Sequence, residues 1–135
     1  MHIVIVLTLV LHVLSGVFWA GSTFTLARMG GPAAEKLLRP QMGCAGMVVV
    51  TGALLWFLIH TGGTPGTTEH ILALGALAAI AAAAVQGMGL RAAGKGAGSE
   101  GSITAQSGGA AVMTQRIAAL FLAVAVICMA AARYA

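Results

Sequence analysis

Residues 3–27 read IVIVLTLVLHVLSGVFWAGSTFTLA, an unbroken stretch without Asp, Glu, Lys, Arg or Pro. About 20 such residues cross the roughly 30 Å hydrocarbon layer of a membrane as an α-helix. A strand is excluded as a spanning element here, because an open edge leaves backbone N–H and C=O groups unsatisfied in lipid. Three further apolar runs follow at Met42–Ile59, Ile71–Leu90 and Ile117–Ala132, and none contains a charge or a proline. No basic residue precedes the first run, and it is longer than the apolar stretch of a signal peptide, so it reads as a retained helix.

The rest of the composition agrees. Of 135 residues, 59% are apolar and 7% charged, and there is no Asp or Asn. A soluble domain has about a quarter of its residues charged, so a soluble enzyme, a nucleic-acid binder and a disordered polar chain are all excluded. The net charge of +4 is a topology signal. Arg28, Lys36 and Arg39 lie in the first loop, Arg91 and Lys95 in the third, Arg116 at the foot of helix 4, and only Arg133 at the other end. The positive-inside rule then makes loops 1 and 3 cytoplasmic and puts both termini and the second loop outside. The expectation is an all-α, integral membrane four-helix bundle in the plasma (inner) membrane. It forms a single domain over 1–135, with helices over about 3–27, 41–60, 70–91 and 114–133.

The loops add detail. Gly30-Gly31-Pro32 precedes a short interfacial helix over 33–38, and a threonine from the Thr61–Thr68 turn caps helix 3. The Gly/Ser/Ala-rich stretch over 92–111 reads as a mobile loop. Within it Gly89-Leu-Arg-Ala-Ala-Gly94-Lys95-Gly96 imitates a phosphate-binding loop, but Gly96 stands where Ser or Thr is required and no strand precedes it. Gly75, Ala79, Ala83 and Gly87 recur every four residues, a small-residue face on which neighbouring helices pack closely.

Side chains able to carry chemistry are few. Cys44 and Cys128 fall at different depths and are read as unbridged. Glu35, Glu69 and Glu100 all lie outside the apolar runs, which argues against proton-driven transport, since that needs a carboxylate inside the membrane. His12 lies roughly 13 Å below the outer surface, and an ionisable side chain at that depth marks a functional site. Thr8, Ser15, Trp19 and Thr23 share its helical face. Its imidazole is read either as a cofactor ligand or as a hydrogen-bonded tie between helices. By depth, Met129 on helix 4 is the nearest soft donor opposite it, and His/Met ligation of haem is known chemistry. His2, His60 and His70 fall at the outer edge with Glu69, a donor set suited to copper or zinc. Trp56 and His60 share a face expected to turn inward. Gln86 and Gln115 are expected to hydrogen-bond between helices 3 and 4.

Leu11-His12-Val-Leu-Ser-Gly-Val-Phe-Trp19-Ala-Gly, closing on Leu26-Ala-Arg28-Met, resembles the first helix of HemJ-type protoporphyrinogen oxidases and the related CopD-like copper-resistance membrane proteins. Gly46-Met47-Val-Val-Val-Thr51 and His70-Ile71 extend the resemblance to helices 2 and 3. It implies a four-helix membrane protein with haem b, His12 as the helix 1 ligand and Arg28 at the family's other basic position; with Trp19 and His70 from the matching motifs and Met129 read from depth, these are the candidate cofactor-binding residues. Leu72 stands where the family has lysine after His-Ile, a departure at the substrate chemistry. The first functional reading is therefore a small membrane haem protein, either an electron-transfer subunit or a porphyrin-oxidising enzyme. The second is a copper-handling protein using His2, His60 and His70. The third is a non-catalytic subunit of a larger membrane complex. The bilayer is the expected partner in all three, with a redox partner, a larger complex or a second copy left open.

Overall fold

The computed structural model describes residues 2–29, 33–59, 66–96 and 104–135, with side chains described throughout except at 33–35, 92–96 and 104–108. The apolar runs form four α-helices: α1 His2–Met29, α2 Ala33–Ile59, α3 Thr67–Gly96 and α4 Thr104–Ala131. There is no strand among the described residues. Each helix contains a stretch long and apolar enough to cross a membrane. Leu7, Leu14, Val17, Phe57, Leu77 and Leu120 face outward. Such a belt of large aliphatic side chains is unfavourable in water and suits contact with lipid.

The helices run up and down around a ring. Each packs on its sequence neighbours, α4 closes back on α1, and α1 and α3 lie across the bundle from one another. The core is built largely from alanine: Ala45, Ala78, Ala79, Ala82, Ala118 and Ala125 surround Trp19, Val48 and Leu122. Small side chains let helix backbones approach closely, and the resulting van der Waals contact drives association where lipid offers no hydrophobic force. The α3/α4 seam is the most extensive and the α2/α3 seam the thinnest. At Gly75 a Cβ would lie 3.1 Å from Cys128 Cβ and 3.3 Å from the Ala125 carbonyl oxygen, so the α3/α4 seam requires glycine there. Gly75 and Ala79 of the expected small-residue face are buried, and Ala83 and Gly87 partly so.

α1 extends one or two residues beyond its expected bounds, and each of the other three helices extends further at one end or both. α2 begins at Ala33 rather than 41, fusing the expected interfacial helix with the span across Pro40. Pro40 lacks the N–H that would bond the Lys36 carbonyl, but this falls before the apolar run, where water can serve the freed group. α3 continues to Gly96 and α4 starts at Thr104, so much of the stretch read as a mobile loop is helical. Ala92, Ala93, Ala105, Ala110 and Ala111 favour the extension, against the low helix propensity of Gly94, Gly96, Gly108 and Gly109. Residues 97–103, the rest of that stretch, lie outside the described residues. The cap of α3 also differs: Glu69 Oε2 accepts from the Gly66 N–H at 2.8 Å. The carboxylate at the third helical position thus reaches back to the residue before the helix, half of a capping box, in place of a threonine cap.

Candidate functional site

The polar stripe of α1 faces the bundle interior. Thr8, Ser15, Trp19 and Thr23 are buried and His12 is partly so. Each threonine hydroxyl on this stripe returns its proton to its own helix, Thr8 to the Val4 carbonyl at 2.8 Å and Thr23 to the Trp19 carbonyl at 2.7 Å. That satisfies the donors locally and leaves oxygen lone pairs for neighbouring helices.

His12 uses such a lone pair on α2. Its Nδ1 lies 2.9 Å from Thr51 Oγ1. The Thr51 hydroxyl has one proton and donates it to the Met47 carbonyl at 2.6 Å. The oxygen therefore accepts from His12 Nδ1–H, which assigns the tautomer and leaves the lone pair of the neutral ring on Nε2. The Val48 carbonyl, about one turn before Thr51, also lies within hydrogen-bonding reach of the ring. The ring also lies against Gly52, where a Cβ would come within 3.2 Å of His12 Cε1. An imidazole whose Nδ1–H is held by Thr51 keeps its ring lone pair on Nε2, the chemistry of a metal ligand with its supporting hydrogen bond already made. The donor at His12 fits an axial ligand of haem iron.

Below it lies a second polar site, which ties all four helices together. Trp19 Nε1 donates to Gln86 Oε1 at 2.8 Å, from α1 across to α3. Gln86 Nε2 donates to Thr23 Oγ1 and to Gln115 Oε1, both at 3.0 Å. Gln41 Nε2 donates to Thr23 Oγ1 at 2.6 Å and to Gln115 Oε1 at 3.4 Å. Gln41 and Thr23 are fully buried, and Trp19 and Gln86 are 1% exposed. Gln86 and Gln115 bridge α3 and α4 as expected. Gln41 carried no signal in the sequence: it follows a proline, at the first position of the expected helix and just before the apolar run.

This node fixes the axial register of the other candidates, at 1.5 Å of rise per residue. His12 lies eleven residues above Thr23, about 16 Å, level with Thr51 and Gly52 on α2, Gly75 on α3 and Val126 on α4. Met129, on the adjacent α4, is about 4–5 Å further out. His70, in the first turn of α3 across the bundle, is about 7–8 Å further out, and His2 about 15 Å. His2 and His70 are exposed, and His60 lies outside the described residues. Among the described residues no three His, Cys, Asp or Glu side chains converge into a metal-binding group. Trp19 has its indole committed to Gln86. Arg28 is about 24 Å below His12, beside Arg116, and one porphyrin ring does not reach both. Cys44 and Cys128 are both free thiols, as expected. Trp56 is 39% exposed, while Gly52, one turn before it on the same face, lies against His12.

Comparison with known proteins finds no family model, no curated protein and no solved structure that matches this chain.

Proposed function

We propose that this protein is a small membrane redox component carrying haem b, with His12 Nε2 as one axial ligand. The observation that carries the reading is the hydrogen bond from His12 Nδ1 to Thr51 Oγ1, which leaves Nε2 as the donor. The resemblance of the segment around His12 to the haem-bearing helix of the HemJ-type family supports it. Haem supplies reversible one-electron exchange at its iron.

The chain's own residues have three tasks in this reading. Thr51 orients the imidazole and raises its basicity by accepting the Nδ1 proton. Gly52 leaves room for the ring face. The apolar walls exclude water and thereby influence the potential. Met129 is the candidate second ligand nearer in level to His12 than His70, on a helix that adjoins α1, and its side chain, 38% exposed, would have to turn inward to serve. Loops 1 and 3 face the cytoplasm of a cell whose plasma membrane holds the chain.

An optical spectrum of the protein, purified from cells supplied with haem precursor, tests the reading. A Soret and an α-band that respond to dithionite are expected, with loss of both in H12A. T51V is expected to keep the bands and raise the potential by roughly 40 mV, the one-electron equivalent of a lost hydrogen bond of about 1 kcal/mol. Protein without bands under these conditions overturns the proposal, and stoichiometric copper in that protein would favour the outer histidines instead.

A further inference from the structure

At the end of the bundle opposite the chain termini, Arg28 and Arg116 border a shallow groove of about 410 Å³ between α1 and α4. Its floor is Ala27, Ala119 and Leu120. Arg116 Nε donates to the Ala27 carbonyl at 3.3 Å. That carbonyl belongs to the last turn of α1, where helix oxygens have no partner in their own helix. The bond holds the Arg116 guanidinium at the groove and leaves both of its terminal amino groups available. Two guanidinium groups thus share a rim above an apolar floor, of which Leu120 is 70% exposed.

We propose that this groove is a site for an anionic glycerophospholipid, held by its phosphate between Arg28 and Arg116 with an acyl chain along Ala119 and Leu120. Guanidinium groups suit phosphate because they offer paired donors in a plane. The apolar floor selects a lipid over a soluble phosphate. A net negative headgroup is selected because a zwitterionic lipid brings a cation of its own to the rim. The proposal is independent of the haem reading and needs no cofactor.

The test uses detergent-purified protein titrated with phosphatidylglycerol, phosphatidylcholine or inorganic phosphate, read by native mass spectrometry and thermal unfolding. Retention of one phosphatidylglycerol per chain and a rise in midpoint are expected, neither occurring with phosphatidylcholine. R28Q is expected to weaken retention at least tenfold. R116K, which keeps the charge but loses the anchored fork, is expected to weaken it several-fold. R91Q, outside the groove, is expected to match the parent. Equal losses in R28Q and R91Q would reduce the effect to general charge attraction and overturn the site. Displacement of the lipid by millimolar inorganic phosphate would overturn the role of the acyl floor. Unfolding midpoints without lipid separate loss of binding from loss of fold.

Discussion

Trp19 orients the buried amides, because an indole N–H donates and never accepts. Gln86 must therefore turn its oxygen to Trp19 and its nitrogen to Thr23 and Gln115. Gln115 must then present its oxygen, and Gln41 its nitrogen. The sequence of constraints ends at Gln41 Oε1, a buried acceptor with no partner among the described residues. Removing one partner from a buried hydrogen bond costs about 1–3 kcal/mol, while removing both together costs less than the sum. W19F and Q86M are each expected to lower unfolding free energy in detergent by that amount, and the double variant by clearly less than the two added. Q41M should cost less than Q86M, because it also removes the unpartnered carbonyl oxygen. Additivity in the W19F and Q86M cycle would refute the coupling.

Individual helices meet mainly through small side chains, so their seams are sensitive to single methyl groups. G75A places a Cβ against Cys128 and the backbone of Ala125 and is expected to destabilise the protein by about 1–3 kcal/mol. G46A, where a Cβ meets nothing within 4 Å, is the matched control and should raise the unfolding midpoint slightly, through the higher helix propensity of alanine. A79L adds bulk at a buried core position and should resemble G75A. The inward face of α1 was legible from the sequence, because Thr8, His12, Ser15, Trp19 and Thr23 interrupt a Val/Leu helix at intervals that a 100° step places together. The small-residue face of α3 was legible for the same reason. The partner of His12 was not. Which α2 residue reaches it depends on the rotation and register of α2 against α1, and these are set by contacts such as Gln41 with Thr23 rather than by the periodicity of either helix. The start of α2 was hidden because a proline usually marks a boundary, whereas Pro40 lies inside the helix.

For the molecule as a whole, charge and polarity are divided between the two ends of the bundle. Six of the seven basic residues belong to the end that carries the groove, and Arg133 alone to the other. Reporter fusions are expected to place residue 135 outside the cell and the 97–103 connection inside; the reverse result would invert the assignment. An inverted chain would also bring the Arg28/Arg116 groove to the outer leaflet, so orientation and lipid supply can be tested together.

The glutamine node ties α1, α2, α3 and α4 in one cross-section near the arginine-bearing end. Above it His12 joins α1 to α2 through Thr51. Mechanically, such a bundle has a fulcrum. Small tilts of the helices cancel at the glutamines and grow with distance from them, and His12 lies about 16 Å along that lever. A change in lateral pressure from the surrounding bilayer would therefore move the imidazole and Gly52 relative to α3 and α4 while leaving Trp19 and Gln86 in place.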